Sequence, residues 1–191
     1  TPNNPTGVIY SEQMLRGLAG VLQNASKRVG HPIYLVSDEP YREIVYDKTQ
    51  VSFIPQFYKD TIICYSYSKV MSLAGERIGY IYIPSRVTEA RQIYSAVGGA
   101  ARMSGYVCAP ALFQKVLVRC AGAIADISLY QKNRDLLYQT LVAYGYDCVK
   151  PEGAFYLFVK SPAGDARSFS ERALHYHLLI VPADDFGCKD Y

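Results

Sequence analysis

Lys69 sits in the run Ser66-Tyr67-Ser68-Lys69, with an acid upstream and a base downstream. The acid is Asp38, in Val36-Ser37-Asp38-Glu39-Pro40-Tyr41; the base is Arg77, in Gly75-Glu76-Arg77-Ile78-Gly79-Tyr80. A lysine adds to an aldehyde to form an imine only through its neutral amine, so it needs burial or nearby cations to lower its proton affinity. A carboxylate can hold a pyridine nitrogen protonated, and a guanidinium can grip a phosphate through two parallel hydrogen bonds. Singly, each residue has an ordinary explanation: a solvated lysine, a helix-capping aspartate, a surface ion pair. The ordered set is much harder to reach by chance.

The elements around these residues must place them together. The chain opens on the turn Thr1-Pro2-Asn3-Asn4-Pro5-Thr6-Gly7, and Ser11 then reads as the N-cap of a helix that Gly30 stops. Ile33 to Val36 is a short apolar run that predicts a buried strand ending at Asp38-Glu39, and Thr61 to Tyr65 predicts a second that leads into Ser66 and Lys69. Ile78 to Ile83, closed by Pro84, predicts a third. Helical stretches follow from about Val87 to Ala101 and from about Pro110 to Ala125. This alternation predicts an α/β fold around a mainly parallel sheet, whose functional residues gather beyond the carboxyl ends of strands. Asp38 and Ser66 to Lys69 sit at such ends.

After Asp126 the character changes. A helix from Tyr130 to Tyr144, strands near Tyr146 to Val149 and Ala154 to Val159, a helix near Ser168 to His177 and a last strand, Leu178 to Val181, predict a smaller α+β domain. The expected division is therefore 1–126 and 127–191.

Composition narrows the function classes. The 191 residues carry a net charge of +3, too small and scattered to suggest nucleic acid, and no apolar run is long enough to span a bilayer. No leader sequence is visible, and the five cysteines are odd in number and widely spaced, which points to a reduced, cytoplasmic protein. His175 and His177, two apart on a predicted helix, face different ways, so no metal is expected. The 18 tyrosines are interleaved with apolar residues and read as core and half-buried sheet positions.

Pyridoxal 5'-phosphate is the cofactor whose chemistry asks for this set. Ser66 and Arg77 would bind its phosphate, and Asp38 would pair with its ring nitrogen. Tyr41 and Asn4 would bind its phenolic oxygen, and Lys69 would form the imine. Glu76 reads as a residue that orients Arg77.

Five segments carry a family resemblance: Asn3-Asn4-Pro5-Thr6-Gly7, Ser37-Asp38-Glu39-Pro40-Tyr41, Ser66-Tyr67-Ser68-Lys69, Gly75-Glu76-Arg77-Ile78-Gly79 and Pro151-Glu152-Gly153-Ala154-Phe155-Tyr156. Together, and over essentially the whole chain, they resemble the class I/II aminotransferases, pyridoxal-phosphate enzymes of fold type I. The resemblance implies exchange of an amino group between an amino acid, aspartate-like or of general kind, and a 2-oxo acid. It makes Lys69 both the imine-forming lysine and the base that moves the substrate α-proton. It implies a homodimer for the intact enzyme and a cis Asn4-Pro5 bond.

The chain departs from the family in length. Its members are about twice as long, so the resemblance implies a fragment truncated at both ends. The N-terminal half would bring a glycine-rich phosphate loop, an aromatic that stacks on the cofactor ring, and further strands. Val181-Pro182-Ala183-Asp184-Asp185-Phe186-Gly187 resembles the closing motif, beyond which an arginine for the substrate carboxylate would follow. The strand before the opening turn is expected between those ending at Asp38 and near Lys69. Without it the sheet is expected to close up by direct pairing of those two strands, chains to associate, or a companion segment to fill the gap, and a vacant slot would count against closure. The alternatives are a lyase or decarboxylase on the same scaffold, and a non-catalytic regulatory domain of aminotransferase type.

Overall fold

The computed structural model describes residues 1–162 and 164–191. Helix α1 spans Glu12–Val29. Ser11 caps it by accepting from the Met14 N–H, and Gly30, at φ +79°, ends it by donating back to the Ser26 carbonyl. Glu12 in the first turn and Lys27 and Arg28 in the last complement the helix dipole. Both ends lie where the capping residues predict them.

Three strands make the larger sheet: β1 (Leu35–Asp38), β2 (Thr61–Ser66) and β3 (Gly79–Tyr82), in that spatial order. β1 and β2 pair directly and in parallel, Leu35 opposite Thr61 and Asp38 opposite Cys64, so no vacant slot separates them. β3 is antiparallel to β2, with Ser66 opposite Gly79, which departs from the mainly parallel pattern expected. The reason is the connection: residues 67–78 fold into the short helix α2 (Tyr67–Val70) and a 3-10 turn (Ala74–Glu76), which return the chain in place without a crossover helix. β2 is buried over Thr61, Ile62 and Ile63. β3, expected to be buried, is exposed along its length, Tyr80, Ile81 and Tyr82 each by nearly half.

Helices α3 (Ala90–Met103) and α4 (Ala111–Arg119) bury no residue completely. Helix α5 (Ile127–Ala143) is capped by Asp126, and the antiparallel pair β4 (Cys148–Val149) and β5 (Phe158–Val159) follows. Helix α6 (Ala166–Leu174) is capped by Asp165. Leu178–Val181 is not a strand: it has no ladder partner among the described residues, and the Ile180 carbonyl instead accepts from the Ser170 hydroxyl. Among the described residues no helix is long and apolar enough to cross a membrane.

The accessible surface is 12571 Å². A compact 21.3 kDa protein would expose about 9,100 Å². Exposed apolar residues lie on β3, α3, α4 and α5 and along residues 174–186. What is well packed is the region between residues 41–46 and 152–156. Tyr41, Ile44 and Ala154 form a buried cluster joined by Ile127 and Tyr156. Val45 bridges Gly153, the Ala154 N–H donates to the Ile44 carbonyl at 2.9 Å, and the Tyr46 hydroxyl donates to the Ala154 carbonyl.

Candidate cofactor site

Asp38 ends β1 with an exposed carboxylate, and the residues on either side hold the turn. Glu39, only 1% exposed, accepts from the Ser37 hydroxyl at 2.8 Å and from Arg42 Nη1 at 2.7 Å. Arg42 also donates to the Ser52 and Val51 carbonyls, and the Glu39 N–H donates to the Cys64 carbonyl at 2.8 Å. The carboxylate of Asp38 itself makes no hydrogen bond or ion pair with another described residue.

Two registers on, β2 ends at Ser66, whose hydroxyl caps α2 by accepting from the Ser68 N–H at 3.1 Å and donates to the Ser68 hydroxyl at 2.7 Å. Lys69, one turn later and half-buried, holds its ammonium 5.8 Å from the centre of the Phe155 ring. Arg77 lies in the turn that enters β3, at φ +52°, and the Ser66–Gly79 pairing brings this turn beside Ser66. Its guanidinium is exposed and donates to the Ala74 carbonyl at 2.9 Å, so it is bonded neither to Ser66 nor to Glu76, the residue expected to orient it.

The opening turn reaches the site from another direction. Asn3 Oδ1 accepts from the Thr6 N–H and hydroxyl, and the Gly7 N–H donates to the Asn3 carbonyl at 2.8 Å. The Gly7 carbonyl accepts from the N–H groups of Glu152 (2.9 Å) and Gly153 (3.0 Å), while Glu152 Oε2 accepts from the Ile9 N–H. At Gly7 a Cβ would collide with Pro151 and lie 2.8 Å from the Gly153 oxygen, and φ is +69°, so only glycine fits. Asn4-Pro5 is cis, as the resemblance implies. Asn4, Asp38 and Tyr41 line one cavity of about 270 Å³.

Tyr41 is buried and its hydroxyl lies 2.5 Å from that of Tyr156. Its ring meets Phe155 (5.4 Å) and Tyr156 (5.6 Å) edge to face. Burial, then the hydrogen bond to Tyr156, pushes the Tyr41 phenol well above the ordinary tyrosine range, so it stays protonated. Sequence reasoning assigned no role to Phe155, Tyr156, Glu39 or Arg42. The motif containing Phe155 and Tyr156 was visible, but nothing in it reveals contact with residues more than a hundred positions away.

Asn4, Asp38 and Tyr41 share one cavity, while Ser66, Lys69 and Arg77 stand at the end of β2, on α2 and in the turn into β3, outside its lining. Asn4, Asp38 and Lys69 have hydrogen-bonding capacity that no other described residue uses. This donor and acceptor set fits an aromatic ring carrying an aldehyde, a basic nitrogen, a phenolic oxygen and a phosphate. Among the described residues no group of three or more His, Cys, Asp or Glu side chains could hold a metal ion.

The chain is similar to known proteins over its whole length. The family profile described as aminotransferase class I and II matches residues 1–191. The chain is 32% identical to a probable N-acetyl-LL-diaminopimelate aminotransferase of Bacillus subtilis, over 97% of this chain and 46% of that protein. It is 33% identical to a probable aspartate/prephenate aminotransferase of Thermus aquaticus, over 98% of this chain and 48% of that protein. The chain thus spans about half the length of the curated relatives it matches. A crystal structure of an aminotransferase from Eubacterium rectale superposes with a TM-score of 0.96 at 52% identity, covering 100% of this chain and 48% of that one. A tetra mutant of Thermus thermophilus aspartate aminotransferase superposes at 0.81 with 29% identity, over 98% and 51% of the two chains. A score of 0.96 over the whole chain leaves no room for a strand inserted between β1 and β2. The expected intervening strand is therefore corrected: their direct pairing is the shared arrangement, not a collapse.

Proposed function

The chain belongs to the class I and II aminotransferases, and from that premise we propose that it carries the lysine and the cofactor-holding residues of a pyridoxal-phosphate-dependent aminotransferase. When bound, pyridoxal phosphate supplies an aldehyde that takes up an amino group and a ring that accepts the electron pair left at the α-carbon. Asp38 would keep the ring nitrogen protonated, Asn4 and Tyr41 would donate to the phenolic oxygen, and Ser66 and Arg77 would bind the phosphate. Lys69 would hold the cofactor through its amine and, as a free amine, would take the proton from the substrate α-carbon.

The carrying observation is the parallel register that sets Asp38 opposite Cys64, two residues before Ser66. Acid, hydroxyl and lysine then leave adjacent strands at the same end of the sheet. Relatives named for aspartate, prephenate or N-acetyl-LL-diaminopimelate support an amino acid and a 2-oxo acid as substrates, aspartate-like in carrying a second carboxylate. The reading extends to a cytoplasmic homodimer for the intact protein. It also includes a division at residue 126, supported by the separate sheet of β4 and β5.

The test is a pyridoxal phosphate titration of this chain, borohydride reduction and peptide mapping by mass spectrometry. We expect label on Lys69 alone, lost in Lys69→Ala. Label spread over surface lysines, or none, would remove the assignment.

A further inference from the structure

We propose that Tyr156 is a positioning residue for Tyr41: its hydroxyl donates to the Tyr41 oxygen and so turns the Tyr41 proton toward the phenolic oxygen of the cofactor. This rests on the function proposed above. The two oxygens are 2.5 Å apart, and neither phenol has another hydrogen-bond partner among the described residues. A phenol has one proton to donate. Two hydroxyls in contact share one of their two protons and leave the other to point elsewhere. If Tyr41 donated, its oxygen would face the cavity with lone pairs only and would repel an anionic oxygen. With Tyr156 as donor, the Tyr41 proton points into the cavity that Tyr41 lines with Asn4 and Asp38.

The backbone favours this role. Tyr156 follows a segment tied down at three points: Gly153 N–H to the Gly7 carbonyl, Ala154 N–H to the Ile44 carbonyl, and the Ala154 carbonyl to the Tyr46 hydroxyl. The same segment holds the turn that presents Asn4. One stretch of chain thus sets both donors to the phenolic oxygen, Asn4 through the turn and Tyr41 through Tyr156. Hydrogen bonds in such a chain polarise one another, so the terminal donor is strengthened.

The experiment reads the pH midpoint of the visible absorption of bound pyridoxal phosphate, with Asp38, Lys69 and Arg77, the charged groups assigned to the site, left unchanged. A stronger donor favours the deprotonated phenolic oxygen and lowers the midpoint. We expect Tyr156→Phe, which keeps the ring contact, to raise it by about half to one pH unit. In a Tyr41→Phe background the same substitution should add nothing. Tyr156→3-fluorotyrosine, a stronger donor of nearly the same shape, should lower the midpoint, a sign that packing alone does not produce and a readout that survives if the phenylalanine variant fails to fold. An unchanged midpoint in the fluorinated protein, or an equal shift with and without Tyr41, overturns the proposal. If the unsubstituted chain retains no cofactor, the functional reading falls and this inference with it. If cofactor is retained and Tyr156 is silent, only the inference falls.

Discussion

Arg134 on α5 reaches Asp47, with Nη2 2.9 Å from Oδ2, while its Nη1 donates to the Pro151 carbonyl at 2.8 Å. One buried guanidinium therefore ties α5 to both segments of the clamp that carries Tyr41 and Tyr156, and it lies 4.7 Å from the centre of the Tyr46 ring. Lysine has no planar fork to serve both partners. We expect Arg134→Met to lower stability by about 2 kcal/mol in urea unfolding, with Arg134→Lys recovering less than half. A full recovery by lysine would show that charge alone matters here.

Gly7 and Gly30 both adopt positive φ, but only Gly7 is packed, against Pro151 and Gly153. Gly30→Ala should cost only the left-handed backbone penalty, about 1 kcal/mol. Gly7→Ala adds a collision and should cost about 2–4 kcal/mol, displacing the opening turn. Equal unfolding midpoints for the two variants would contradict the docking of that turn.

Arg77 is assigned to the phosphate, so its removal should discriminate between cofactors. We expect Arg77→Ala to weaken pyridoxal phosphate binding on the order of 10- to 100-fold and to leave binding of pyridoxal, which lacks the phosphate, nearly unchanged. An equal loss for both ligands in absorbance titrations would place Arg77 elsewhere in the mechanism.

Asp126 and Asp165 cap α5 and α6. Hydrogen bonds from the hydroxyl and then the N–H of Ser128 and Ser168 draw their carboxyls below the usual aspartate range. Each holds fewer protons folded than unfolded. Their contribution is therefore complete above the ordinary aspartate range and is lost as pH falls through the depressed folded values. The double variant Asp126→Ala/Asp165→Ala should unfold at lower urea than the parent near pH 7, and the gap should narrow toward about pH 3. A gap independent of pH would remove the ionised caps as its cause.

Local signals reached far in this chain. Ser11 and Gly30 mark the ends of α1 because capping chemistry acts within a few residues, and the apolar runs before Asp38 and Ser66 mark β1 and β2 for the same reason. Partners distant in sequence left no such trace. Leu178–Val181 has the composition of a strand but no strand to pair with, and the direction of β3 depends on how 67–78 folds back. The bond between Tyr41 and Tyr156 spans 115 positions, and the motifs that hold the two tyrosines do not reveal that they touch. The misplaced strand between β1 and β2 came from the assumed family topology, not from any residue in the chain.

The docking of the opening turn on Glu152 and Gly153 sets an order of assembly. Asn4 is made before the groups that fix its turn, Glu152 and Gly153, which follow it by more than a hundred positions, and Tyr156 comes after them. Lys69 and Asp38 are translated long before either. Cofactor presented to the nascent chain would meet the lysine and its acid without the two donors to the ring oxygen. Full recognition waits for residues 151–156, and a chain stalled before residue 151 should hold pyridoxal phosphate more weakly than one that includes them.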